Sequence, residues 1–257
     1  MTPSDLVHQL DRRVLIRARV ETVFRYFTDS QRWASWWGPG STIEPRPGGK
    51  VFIRHPNAVE VSGEVLEIDP PRRIVYTIGL GAGHPQSDGG SRVTIELAPD
   101  PAGTVLHLRH AFDEAEVRDH HVQGWRYQLA VFANRVADDA LAGADQTVDA
   151  WFAAWSEPDA ARRDALLAST VARGVCFRDR FSHVDGLADL QPHLAAVHVF
   201  MPGTKLARTG GVRQCQGTAL ADWVATKADG AEMGRGTNVF RFDADGRIEE
   251  VVGIWGG

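Results

Sequence analysis

The sequence predicts an α+β protein built from two units, and three observations carry that reading. The 257 residues exceed one typical domain of ~150 residues and fall short of two. Hydrophobic periodicity passes from helical to period two and back, and then the cycle starts afresh after Gly143, which places a boundary near Gly143-Ala144. The eight tryptophans, set against three tyrosines, divide four and four across that boundary.

In the first half, Arg13–Val20 reads as a short β-like run, followed by a helix with Glu21, Val23, Phe24 and Phe27 at helical spacing. Asp29-Ser30 ends it and caps a second short helix. From Ile43 to His110 the pattern becomes period two. Strand-like segments at Val51–Arg54, Val59–Ile68, Arg73–Ile78, Arg92–Leu97 and Thr104–His110 are separated by Pro47-Gly48-Gly49, Asp69-Pro70-Pro71, Gly79–Gly90 and Pro99–Gly103, the punctuation of an antiparallel meander. Val117, Val122, Trp125, Leu129, Phe132, Val136 and Ala140 then form one stripe of a long helix.

The second half opens with Val148, Trp151, Phe152 and Trp155 at i, i+3, i+4 and i+7. Asp159 caps the next helix, Val175–Asp179 is a short strand, and Leu187, Leu190, Leu194 and Val197 mark a third helix. Lys205–Thr209, Val212–Lys227, Glu232–Phe242 and Arg247–Trp255 read as strands, the last ones joined at Asp229-Gly230 and Asp243–Gly246.

Composition excludes several functions. With 28 Lys and Arg against 33 Asp and Glu, a net charge of −5, no basic excess exists to release counterions from nucleic acid. Two cysteines, Cys176 and Cys215, make neither a disulfide framework nor a Cys-rich zinc site. No apolar run approaches the ~20 residues that span a bilayer, and Met1–Leu10 lacks the layout of a signal peptide. The expected location is the cytoplasm.

Trp33–Pro39, Arg46–Gly49, Gly63–Thr77, Ser91–Ile95 and Gly124-Trp125, in that order and spacing, make residues 1–142 resemble the heat-shock protein 90 ATPase activator-like domains of the START-related (SRPBCC) superfamily. The resemblance implies a helix-grip fold, with the Val117–Leu141 helix lying across a curved antiparallel sheet over an apolar pocket. Residues 145–257 resemble the SnoaL-like branch of the nuclear transport factor 2-like superfamily through Gly236–Ile248 followed by Trp255, and through Phe177–Asp179 followed by Asp185-Gly186. That resemblance implies an α+β cone, its sheet wrapped around helices to leave a deep pocket, and a sheet face able to form a homodimer.

Among ketosteroid isomerases of that superfamily, a carboxylate at the end of the first strand moves a proton while an acid in the last hairpin stabilises the enolate. Asp179 falls at the first position, where an apolar cavity would raise its pKa toward the working pH; the other reading is a strand-end residue paired with Arg178, Arg180 or a backbone amide. Asn238 stands at the second, a weaker oxyanion donor than an acid, and Trp151 replaces the Tyr often found on the helix. His183, four residues past Asp179, is a proton shuttle or a solvated loop residue. The pairs His107/His110 and His120-His121 lack convincing ligand spacing, so no metal and no cofactor is expected.

Trp33, Trp36, Trp37 and Trp125 are expected to cover one pocket, and Trp151, Trp155, Trp223 and Trp255 the other, since indoles bury large areas with few rotatable bonds. The Gly79–Gly90 hairpin tip would gate the first pocket. The leading function is binding of a small hydrophobic or aromatic molecule, with polyketide cyclase, isomerase or dehydratase chemistry in the second pocket. The alternative is a co-chaperone or stress-response adaptor acting through the first unit on a chaperone partner.

Overall fold

A computed structural model describes residues 6–80 and 90–256. The hairpin tip expected to gate the first pocket lies, at residues 81–89, outside the described residues. The chain divides into two compact units, Met1–Ala137 and Asp138–Gly257, and each is α+β. No helix among the described residues is long and apolar enough to cross a membrane.

The first unit runs β1 (His8–Ile16), α1 (Val20–Arg25), α2 (Ser30–Trp37), β2 (Thr42–Ile43), β3 (Lys50–Arg54), β4 (Glu60–Asp69), β5 (Arg73–Leu80), β6 (Ser91–Asp100), β7 (Gly103–Phe112) and α3 (Ala115–Ala140). Among the described residues its seven strands form one sheet in the order β1-β7-β6-β5-β4-β3-β2. β1 begins five residues before the β-like run at Arg13 because it pairs along its whole length with β7, from His8↔Phe112 to Ile16↔Thr104; tertiary pairing extends a strand past its local signal. Asp29 caps α2, its carboxylate accepting the Arg32 N–H at 2.9 Å. On α3 the buried stripe contains Trp125, Leu129, Phe132 and Val136, at helical spacing.

Helical spacing on α2 also puts Trp33, Trp36 and Trp37 on one face. That face turns inward. Trp33, Trp36, Trp37 and Trp125, expected to wall a pocket, are instead core: none is more than 5% exposed. Trp33 packs against Trp36 and Tyr76 at centroid distances of 5.2 and 5.6 Å, Trp36 against Phe132 at 4.8 Å, and Trp37 against Trp125 at 5.6 Å. Rings at these separations and steep angles gain quadrupole attraction beyond the area they bury.

The second unit contains α4 (Ala144–Ser156), α5 (Ala160–Thr170), β8 (Val171–Arg178), β9 (His183–Asp185), α6 (Leu187–Phe200), β10 (Lys205–Cys215), β11 (Thr218–Thr226), β12 (Glu232–Phe242) and β13 (Ile248–Trp255). The sheet order is β10-β11-β12-β13-β8-β9, with β13 and β8 parallel and the other pairs antiparallel. Asp159 caps α5 by accepting the Arg162 N–H at 2.9 Å. Arg208 of β10 clamps α4 by bonding both carboxylate oxygens of Asp149, at 2.7 and 2.9 Å. Two details correct the strand reading. Val212–Lys227 is two strands, because Gln216 and Gly217 at φ 48° and 84° make a two-residue hairpin of the type that needs left-handed backbone at both positions. Gly210-Gly211 is no break; the register merely shifts between Thr209 and Arg213, as at a bulge.

Candidate functional site

The strands of the second unit alternate inward and outward, and several inward residues are small. β11 turns in Ala219, Ala221, Trp223 and Ala225, β12 turns in Gly234, Gly236, Asn238, Phe240 and Phe242, and β13 turns in Val251, Gly253 and Trp255. On β8 Val175 and Phe177 face inward, with Asp179 just past the strand end. Missing side chains make room for large neighbours. Gly236 is the register partner of both Trp223 and Trp255, and a Cβ there would come 2.6 Å from the Trp223 ring. The two indoles meet edge to face with centroids 4.9 Å apart.

Each of these indoles donates its N–H to a polar side chain. Trp223 Nε1 donates to Asn238 Oδ1 at 2.9 Å, and Trp255 Nε1 donates to Asp179 Oδ2 at 3.1 Å. Because an indole N–H can only donate, the Asn238 amide is oriented with its oxygen toward Trp223, and its Nδ2 hydrogens remain for another acceptor. The Asp179 Oδ1 atom accepts the backbone N–H groups of Phe181 and Ser182, both at 2.8 Å, and the Asp179 N–H donates to the Ser182 carbonyl at 2.9 Å. A tight turn therefore holds the carboxylate. Gly253 lies between the two polar groups: a Cβ built on it would stand 3.1 Å from Asp179 Cβ and 3.4 Å from Asn238 Oδ1.

Over this floor is a cavity of about 120 Å³ walled by Trp155, Phe177, Leu206, Trp223 and Trp255, with Met201 and Met233 also lining it. An apolar cavity of about 150 Å³ admits benzene, so the volume suits a single ring. His193 of α6 stands edge-on to Trp155 at 5.8 Å; burial holds its imidazole below the ordinary range, partly opposed by the Asp179 charge.

The structure thus brings together Asp179, Asn238, Trp155, Trp223 and Trp255. Trp151 and His183 are placed elsewhere. Trp151 is fully buried behind the wall, 5.7 Å from Trp155 and 5.8 Å from Phe177. His183 stands opposite Arg178 in register, and since Phe177 points in, this pair points out. Its Nε2 lies 3.4 Å from Asp185 and 3.9 Å from Cys176. Sequence reading missed Gly253, Met201 and Met233. Gly253 was findable, because period two through Val251 and Trp255 turns it inward.

The first unit carries a different polar feature. Trp125 Nε1 donates to His110 Nδ1 at 2.8 Å, which fixes the tautomer: His110 Nε2–H donates to Ser91 Oγ at 2.8 Å, and Ser91 donates on to the Ile78 carbonyl at 2.8 Å. Full burial holds His110 well below its ordinary range and hence neutral. The Ser91 proton is committed to a carbonyl, so this chain ties β7, β6, β5 and α3 together rather than activating a nucleophile. A water-sized cleft of about 30 Å³ lies beside it, lined by Val61, Ser91, Phe112, Val117 and His121 among others.

With this geometry in place, the chain is a two-unit α+β protein. Residues 17–137 match the family described as Activator of Hsp90 ATPase homolog 1-like protein, and the first unit resembles that family. Among solved structures, a SnoaL-like family protein from Agrobacterium tumefaciens is 25% identical, with 44% of this chain and 96% of that one covered at a TM-score of 0.42. A protein from Chromobacterium violaceum is 26% identical over 49% of this chain and 94% of its own, at 0.41. The Aha1 dimer from Colwellia psychrerythraea is 18% identical over 48% and 91%, at 0.42. No curated protein matches the chain.

Proposed function

We propose that the second unit binds a small apolar molecule of about one ring that carries a carbonyl or enol oxygen, and that Asp179 moves a proton on it. The observation that supports this reading is an apolar cavity in which the polar groups Asp179 and Asn238 flank the bare backbone of Gly253. The ligand ring lies against Trp223 and Trp255. Asp179 takes a proton from the carbon next to the carbonyl, and the negative charge that develops on oxygen meets the Asn238 Nδ2 donor. Returning the proton to another carbon is an isomerisation; loss of a β-leaving group is a dehydration; attack of the enolate carbon on a second carbonyl of the same molecule is a cyclisation.

Titrating the full chain with cyclic enones and phenols while following Trp fluorescence tests binding, since two indoles touch the ligand. Quenching by single-ring compounds is expected, and a panel without quenching would sink the reading. On a substrate found this way, Asp179→Asn should lower the rate by ~10²–10⁴ and retain binding; an unchanged rate removes Asp179 from the chemistry.

The match of residues 17–137 favours a second reading, an adaptor that stimulates a chaperone ATPase through the first unit. Adding the full chain to a purified Hsp90-type ATPase tests it, and no stimulation counts against it.

A further inference from the structure

The outer face of β8 and β9, one side chain away from the cavity wall, gathers three metal-ligating groups. Strand pairing places Cys176 directly opposite Asp185 and Arg178 opposite His183, so thiol, carboxylate and imidazole share the face opposite Phe177. The Cys176 sulfur is 3.9 Å from His183 Nε2, that nitrogen is 3.4 Å from Asp185 Oδ1, and all three ligand atoms lie within 4.8 Å of one another. With metal bonds of about 2.3 Å to sulfur and about 2.0–2.2 Å to nitrogen and oxygen, tetrahedral ligands sit about 3.3–3.6 Å apart. Small rotations of two exposed side chains close that difference.

From this geometry we propose that Cys176, His183 and Asp185 form a three-ligand site for a divalent transition metal of the zinc class, with its fourth position open to solvent. A sulfur, nitrogen and oxygen set that small rotations bring to tetrahedral separation suits zinc or cobalt, not calcium or magnesium, which require more oxygen ligands. The nearby Arg178 guanidinium does not leave a bare positive charge against the ion, because Glu250 binds it at 2.6 Å. Burial, with the Asp185 carboxylate alongside, holds the Cys176 thiol above its ordinary range, so the metal displaces a proton on binding, as is general for thiol ligands.

The site has a consequence for the cavity. β8 and β9 are joined by residues 179–182, the turn whose Phe181 and Ser182 amides hold Asp179. A metal bridging Cys176 to His183 and Asp185 clips the two strands across that turn. It therefore stiffens the backbone that sets the carboxylate.

The test is titration of the reduced full chain with Co²⁺, a spectroscopic stand-in for zinc, followed by competition with Zn²⁺. Thiolate-to-cobalt charge-transfer absorption should rise to one equivalent, disappear on adding Zn²⁺, and be lost in Cys176→Ser. It should be retained in Cys215→Ser, the other free cysteine. His183→Ala, at an exposed position that the fold does not need, should weaken the absorption at a given Co²⁺ concentration. Absence of charge-transfer absorption in the wild-type chain overturns the proposal, and so does absorption that survives Cys176→Ser or is unaffected by His183→Ala.

Discussion

In the first unit Trp33, Trp36, Trp37 and Trp125 pack ring on ring with Phe27, Phe132 and Tyr76, whereas in the second unit Trp155, Trp223 and Trp255 line open space. The same residue type serves opposite ends, with Trp151 of the second unit, fully buried, on the side of the core. What separates them is the size of the inward neighbours. α2 brings its indoles against Phe and Tyr, which fill the gaps. β11, β12 and β13 set theirs among Ala and Gly, which leave about 120 Å³ unfilled. The cavity of the second unit comes from missing side chains beside large ones, so a tryptophan count measures aromatic area and says nothing of where it is exposed.

The largest effect expected from this contrast is on stability. Trp33→Ala removes a fully buried indole from an aromatic cluster and should cost ~3–5 kcal/mol of unfolding free energy. Trp255→Ala removes a partly exposed wall and one N–H···Asp179 bond, and should cost ~1–3 kcal/mol. Chemical denaturation of the two variants checks the order. Equal losses would mean that the cavity wall is as tightly packed as the core, and the contrast between the units would fail.

A second feature of the first unit is electrostatic. His110 is buried in its neutral form, with an unfolded-state pKa of about 6.5. Because the folded pKa is depressed, the unfolded chain binds more protons once pH falls below that value. The stability His110 contributes is fully present above pH ~6.5 and is lost as pH drops toward the folded pKa, at up to ~1.4 kcal/mol per pH unit for one proton. His55 and His121 of the same unit are shifted downward by burial as well. Urea unfolding at pH 7.5 and 5.5 should show acid weakening, and His110→Gln, less stable at pH 7.5, should have a shallower pH dependence. Identical slopes would remove His110 as its cause.

Much of this architecture was legible because local chemistry and global pairing agree. Asp29 and Asp159 read as caps and are caps, the α3 stripe reads as a buried face and is one, and Asp179 and Asn238 read as a pair and line one cavity. The misreadings arise where tertiary partners decide. Gln216-Gly217 lacks the Asn-Gly or Asp-Gly signal of its hairpin, so nothing local marks it. His183 is near Asp179 in sequence, yet a four-residue turn and the pleat send its side chain to the other face. The inward or outward sense of an indole depends on residues far away in sequence, as Trp33 with Tyr76 and Trp223 with Asn238 illustrate. Cys176, His183 and Asp185 have no ligand spacing along the chain and become neighbours only through strand register.

The smallest expected change in stability belongs to Gly253→Ala, and it bears directly on how the cavity is made. The backbone of Gly253 is not in the left-handed region, so alanine meets no conformational penalty there. Its methyl group would stand 3.1 Å from Asp179 Cβ and 3.4 Å from Asn238 Oδ1, so the Asn238 amide turns slightly and the backbone at Asp179 gives by a few tenths of an ångström. Unfolding free energy should therefore change by less than ~1 kcal/mol, since overpacking penalties of ~1–3 kcal/mol apply to sites with no space to yield. The methyl nevertheless occupies the floor between the two polar groups, where the ligand oxygen and its neighbouring carbon must lie. Affinity for any single-ring ligand should fall by about tenfold, equivalent to ~1.4 kcal/mol. If binding is unchanged while Trp255→Ala abolishes it, the ligand rests on the indoles and never reaches Asp179 and Asn238, and the proton-transfer chemistry proposed for that pair would lose its site.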